Sequence, residues 1–164
     1  MRLSNEDFKK ILTQSGFITA ADFDETVRSA TDLGRKVEDI LIFRGFINES
    51  TLGKLVAEYL KLPYVDISRQ FIPEEVLALI PEKLARIYRF IAFAKYGNTL
   101  KIAMSDPTNF EALEFARRQT GLQIVPHFTT ENNFRKALGQ YKRNIRVAFD
   151  KVISENIKKA SPEE

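Results

Sequence analysis

Few side chains in this sequence have the chemistry for catalysis or metal binding. It holds one histidine, His127, and no cysteine. That excludes disulfides, thiolate metal sites and a cysteine nucleophile, and it fits a reducing compartment. Metal sites built on histidine clusters are excluded as well, and a Ser-His-Asp triad would have to rest on His127 alone. His127 follows Pro126 in a strand-like stretch, where a lone histidine is most simply a half-exposed structural residue. Gly53-Lys54 is the only Gly-Lys pair. A phosphate loop needs G-x-x-x-x-G-K-[ST], because its glycines let successive N–H groups close on the phosphates. Here Leu55 follows the lysine, Asn48 stands in place of the first glycine, and a helical pattern runs through both. Neither G-x-G-x-x-G nor H-E-x-x-H occurs. The acid pairs Asp22/Asp24 and Glu74/Glu75 fall near helix starts, where carboxylates suit the helix dipole. Asp106-Pro107 opens a helix, with Asp106 capping or bracing the turn. A catalytic acid wants a partner that shifts its pKa, and the neighbouring sequence offers none. The residues therefore predict a chain that is not an enzyme.

These side chains sit on a chain of 164 residues with net charge +3, 44% hydrophobic and 29% charged residues. A chain of that length forms one ordinary domain or two small lobes and buries roughly 70% of its unfolded surface. No apolar run approaches the ~20 residues that cross a bilayer, and MRLSNEDFKK lacks the apolar core of a secretory signal. Basic residues gather late, around Lys142, Arg143 and Arg146 and at Lys158-Lys159. Acids interrupt them, so the run reads as a solvated helix face and not as a nucleic-acid patch.

The elements repeat. ILTQSGFI at 11–18 returns as ILIFRGFI at 40–47 without gaps. Ile11, Leu12, Gly16, Phe17, Ile18, Phe23 and Val27 match Ile40, Leu41, Gly45, Phe46, Ile47, Leu52 and Val56. In each copy a short amphipathic helix ends at a glycine suited to the left-handed position. Thr19 or Asn48 then caps a second helix, and Ile18 or Ile47 is spaced to staple onto Phe23 or Leu52. Each copy thus reads as helix–turn–helix, burying its apolar face on the other. Phe8, Phe17, Phe23, Phe43 and Phe46 read most simply as core, while Phe17 and Phe46 sit at turn corners where an aromatic side chain can dock a partner. At Leu62-Pro63 the grammar changes. Tyr64–Ile67 reads as a short strand, 72–80 as a short helix, and Arg89–Lys95 and Thr99–Met104 as a hairpin turned at Gly97-Asn98. A helix from Asn109 to about Gln119, a strand at 122–128 and one long helix from Thr130 or Glu131 to about Lys158 complete the chain.

The fold expected is α+β. A helical lobe of two helix–turn–helix repeats (1–62) precedes a small α/β lobe with a short mixed sheet (63–142), and a C-terminal helical extension or linker follows (143–164). The repeat, then Leu62-Pro-Tyr-Val-Asp, Ile80-Pro-Glu-Lys-Leu-Ala-Arg, Met104-Ser-Asp-Pro-Thr-Asn, Thr120-Gly121 and Ala137-Leu-Gly-Gln-Tyr occur in that order. This ordered set, over about residues 8–142, resembles the N-terminal domain of the assembly ATPases of type II secretion and type IV pilus systems. The resemblance implies a non-catalytic docking or regulatory domain, since the ATPase core and its Walker motifs are absent from this sequence. It implies as partners a hexameric ATPase core, as a following domain or separate chain, and the cytoplasmic domain of an inner-membrane platform protein. It implies a cytoplasmic location, peripheral to the inner membrane through those partners, without membrane insertion or nucleic acid. The helical lobe, with its phenylalanine-rich corners, is expected to make the main contact. Phe17, Phe46 and Arg44 are the partner-binding candidates, and no cofactor is expected.

A branch of the same family binds cyclic di-GMP through a doubled pattern, R-L-G-x-x-L-V-x-x-G-x-I-x-x-x-x-L-x-x-x-L-x-x-Q. Aligned to it, the first copy starts at Asp7 and ends at Ala30, and the second starts at Lys36 and ends at Tyr59. Packing positions survive in both copies. The polar ends do not: Asp7 repels phosphate, and Lys36 offers charge without the planar fork of arginine. Arg35, Lys36 and Arg44 remain as the candidate anion contacts for this alternative.

Overall fold

The computed structural model describes residues 3–160. Four helices open the chain: α1 (Asn5–Gln14), α2 (Ala20–Leu33), α3 (Val37–Phe43) and α4 (Glu49–Tyr59). They form the two expected helix–turn–helix units, and the sequence grammar has physical form at each corner. Gly16 and Gly45 take φ of 77° and 78°. At the first corner Phe17 N–H donates to the Leu12 carbonyl and Gly16 N–H to that of Thr13. At the second, Phe46 donates to Leu41 and Gly45 to Ile42. Both are Schellman terminations, which satisfy carbonyls the helix end would otherwise orphan. Thr19 Oγ1 accepts from Asp22 N–H at 3.2 Å and Asn48 Oδ1 from Thr51 N–H at 2.8 Å. Ile18, Phe23, Ile47 and Leu52 are all buried in one cluster with Leu12, Leu41 and Val56, as the staple spacing requires.

Helix α4 ends on another such turn, at Lys61, whose φ is 58°. A side chain there carries a Cβ against the carbonyl, which glycine avoids. Lys61→Gly should therefore raise stability by about 0.5 kcal/mol, since relief of strain outweighs the entropy glycine adds to the unfolded chain. A urea titration of both proteins checks this, and a lower midpoint for the glycine variant would refute it.

The second half is built on a three-stranded sheet. Strands β1 (Phe90–Tyr96) and β2 (Thr99–Met104) pair antiparallel across the Gly97-Asn98 turn, and β3 (Gln123–Phe128) pairs parallel with β2. The sheet is mixed, in order β1-β2-β3. Helices α5 (Glu74–Leu77) and α6 (Glu82–Tyr88) precede it, and α7 (Phe110–Thr120) makes the crossover to β3. Asn109 caps α7, and Gly121, at φ 68°, ends it. Asp106 braces the turn before α7, accepting from Thr108 N–H at 3.1 Å and Thr108 Oγ1 at 2.6 Å. Phe90, Ile91, Leu100, Ile102, Met104 and Phe134 fill this second core.

Three expectations change. The strand expected at Tyr64–Ile67 shrinks to one bridge, Tyr64 with Phe128. Asp66 then accepts from both the N–H and the hydroxyl of Ser68 and turns the chain into a 3-10 helix, Ile67–Arg69. The long final helix is two, α8 (Glu131–Ala137) and α9 (Gly139–Ala160), broken at Leu138. Beyond the break Gln140 accepts from Ile72 N–H and donates to the Gln70 carbonyl, and Tyr141 donates to the Ile80 carbonyl at 2.7 Å. These bonds hold the start of α9 against the segment 70–80. Phe43, expected in the core, is 88% exposed. It lies on the outer face of a helix whose inner face is Val37, Ile40 and Leu41.

The two halves also share a residue. Phe128 ends β3 but packs in the helical cluster. The helical repeats therefore depend on the sheet for part of their own core.

Candidate functional site

The polar ends of the two repeats meet in space. Asp7, at the head of the first copy, accepts a hydrogen bond from the phenol of Tyr59, at the tail of the second, at 3.0 Å. Ser4 caps α1 and also donates to Asp7, at 2.9 Å. These bonds, from Ser4 first and then Tyr59, hold the Asp7 carboxyl below the usual range, and the same contact pushes the Tyr59 phenol up. Asp7's contribution is present above its ordinary pKa near 3.8 and is lost as pH falls through its lowered value. Tyr59's is present below its ordinary value near 10.0 and is lost as pH rises through its raised one. The contact thus persists across the neutral range. Tyr59→Phe should move the Asp7 titration upward, read by carboxyl NMR; an unchanged titration would refute the bond.

The other pair of ends, Lys36 at the head of the second copy and Ala30 near the tail of the first, lines a groove of about 360 Å³ with Phe8, Gly34 and Arg35. Lys36 is engaged: its ammonium lies 3.0 Å from Glu131 of α8. Glu131 also receives Arg89 and, at 3.1 Å, Arg135. Sequence spacing shows only the i,i+4 partner Arg135, because Lys36 comes from the residue before α3 and Arg89 from the residue between α6 and β1. Nearby, Thr130 Oγ1 donates to Glu49 at 2.7 Å and Asn133 to the Tyr64 phenol at 3.3 Å. Burial raises the Tyr64 phenol, and the charge of Asp66 adds to the shift. Between the halves lies a cavity of about 180 Å³. Glu38, Asp39, Glu49, Asp106 and Glu131 line it against Lys36 and Arg135. Its field is therefore net negative, and it is smaller than the ~300–1,000 Å³ of ordinary ligand clefts.

Arg35 and Lys36 share a groove, but Arg44 is elsewhere. Its guanidinium reaches back to α2, donating to Ser29 at 2.9 Å and lying 3.9 Å from Glu25. The three candidate anion contacts do not converge. Phe17 is 38% exposed at its corner, and Phe46 is partly buried against the helical core. His127 is half-buried, its ring edge-on to Phe93 at 5.1 Å, and burial holds its pKa down. Asp22, Asp24, Glu74 and Glu75 are exposed. Among the described residues no group of His, Asp and Glu is placed to hold a metal ion, and no helix is long and apolar enough to cross a membrane.

The MshEN domain matches residues 60–148, more than half of the sequence. The chain belongs to the MshEN domain family. That match begins at the end of α4, so it takes in the sheet and its helices and leaves most of the repeats outside. The type IV pilus assembly ATPase PilB of Thermus thermophilus is 25% identical over 132 residues, 79% of this chain and 15% of its own length. PilB of Myxococcus xanthus is 21% identical over 80% of this chain and 23% of its own length. The chain thus spans less than a quarter of these curated relatives. A solved structure of MshE with cdg shares 28% identity and a TM-score of 0.64, covering 85% of this chain and 99% of that one. The N-terminal domain of XpsE shares the fold, at 20% identity and a TM-score of 0.54 over 84% of this chain and 96% of that one. The MshEN-domain chain is therefore homologous to the N-terminal region of type IV pilus and type II secretion ATPases, as its ordered motifs suggested.

Proposed function

We propose that this chain is a docking and regulatory domain, itself non-catalytic, of a type II secretion or type IV pilus assembly ATPase. It couples the motor to the cytoplasmic domain of an inner-membrane platform protein, and so works at the cytoplasmic face of that membrane. In this reading residues 1–62 form the contacting lobe, 63–142 its support and 143–164 the extension. One observation carries the proposal. The polar ends of the repeat are spent on internal partners, Asp7 on Tyr59 and Lys36 on Glu131. Its exposed surface also offers apolar side chains: Phe17 at its corner, with Leu33 and Phe43 at 66% and 88% exposure. Phe17 and Phe46 are the proposed anchors. Arg44, held by Ser29 and Glu25, orients the second corner.

The test is copurification of the chain with the cytoplasmic domain of a platform protein. Complex formation at moderate salt supports the reading, and its absence at both low and moderate salt counts against it. Phe17→Ser should weaken the complex about tenfold, since an anchoring aromatic is worth more than ~1 kcal/mol; unchanged affinity would remove Phe17 from the contact.

The second reading, a cyclic di-GMP sensor, is favoured by the likeness to MshE with cdg. Ligand entry would require a cyclic diphosphate to break the Lys36–Glu131 pair beside an acidic wall. Calorimetric titration separates the two readings, because micromolar affinity for cyclic di-GMP would establish the sensor.

A further inference from the structure

The outer part of α9 presents apolar side chains to solvent. Every residue from Phe149 to Ile157 is exposed. Among them Phe149, Val152, Ile153 and Ile157 are 63%, 54%, 41% and 62% exposed. Their spacing of i, i+3, i+4 and i+8 puts them on one helix face, an arc of roughly 140° at 100° per residue. Charge says what covers that face. Helix α9 carries six Lys and Arg against two Asp and Glu, while the rest of the chain carries nineteen against twenty. The whole positive excess of the molecule is on this helix. A second copy would bring two such helices, each with an excess of four positive charges, into mutual repulsion. A basic helix with a broad apolar arc, too charged to span a bilayer, matches the geometry of an element lying in a lipid headgroup layer.

We propose that α9 is an amphipathic anchor that lays Phe149, Val152, Ile153 and Ile157 into an anionic lipid surface. Arg143 and Arg146, in the two turns before Phe149 and on the side of the same arc, meet the headgroup phosphates. Phe149 and its neighbours enter the acyl boundary, and the rest of the chain stays outside the bilayer. This contact is direct and needs no platform protein, so its failure leaves the docking reading intact.

The experiment is sedimentation of the whole chain with vesicles of phosphatidylcholine alone or with ~30% phosphatidylglycerol. The chain should pellet with the anionic vesicles and stay in solution with the neutral ones, and binding should fall at least tenfold between about 50 mM and 500 mM salt. Phe149→Ser/Ile153→Ser and, separately, Arg143→Glu/Arg146→Glu should each reduce the bound fraction tenfold or more. Arg118→Glu, on α7, should not. Circular dichroism reports whether α9 stays helical, and if the serine pair unwinds it, the charge pair decides. Equal sedimentation with both vesicle types, none with either, or indifference to the charge pair overturns the proposal. So does a dimer in light scattering that the serine pair dissociates while vesicles bind nothing, which would assign the face to a second copy.

Discussion

Gly53→Val lowers the stability of the chain by about 3 kcal/mol. Helix propensity alone predicts the opposite, because replacing a mid-helix glycine usually gains a few tenths of a kcal/mol or more. Position 53 is different. A Cβ there would stand 2.5 Å from Cε2 of Tyr64 and 3.1 Å from Cγ2 of Thr130. Tyr64 cannot swing away freely, since Asn133 donates to its phenol and its backbone bridges Phe128. Thr130 is held by Glu49. Overpacking of this kind costs about 1–3 kcal/mol, and separating α4 from β3 exposes Phe128 as well. Chemical denaturation measures the loss. Gly139→Ala supplies the contrast: a Cβ there meets nothing within 4 Å and the position opens α9, so stability should rise, by no more than about 0.5 kcal/mol. If both substitutions stabilise, the close approach of the two halves at Gly53 is wrong.

Phe23→Ala is the larger loss, about 3–5 kcal/mol. Phe23 is 1% exposed and sits under the first corner, packed in the cluster that holds Ile18, Leu12 and Leu41. Removing its ring leaves a cavity and also frees Ile18, the residue that sets the angle at which α2 leaves the turn. The corner that presents Phe17 then loses its support. The expected result is a lower unfolding midpoint with weaker platform binding, even though Phe23 itself is buried. A loss below about 1 kcal/mol would mean that the site collapses around the gap and that the staple does not organise the corner.

The repeat was legible because its signals are local. Gly16, Gly45, Thr19 and Asn48 each act within four residues, and each adopts the geometry its type predicts. The hairpin and its turn were legible for the same reason. What the sequence hid is long-range. Phe128 completes a strand by pattern but belongs to a core assembled by residues far earlier in the chain. Tyr64–Ile67 has strand-like composition, yet pairing is limited to one bridge and Asp66 offers Ser68 a local alternative. The break at Leu138 reflects bonds from Gln140 and Tyr141 to segments about 60–70 residues away. Alignment of the copies to the cyclic di-GMP pattern identified Asp7, Lys36 and Tyr59 as altered positions. It could not show that Asp7 and Tyr59 compensate each other across 52 residues, or that Lys36 had found Glu131.

One calorimetric experiment tests the internal pairing of the repeat's polar ends most directly. The cytoplasmic domain of a platform protein is titrated into the chain with and without cyclic di-GMP. The expected result is binding to the protein partner, weakened by Phe17→Ser, with no heat from the dinucleotide and no change when it is present. Micromolar binding of cyclic di-GMP, or a platform complex that forms only in its presence, would contradict it.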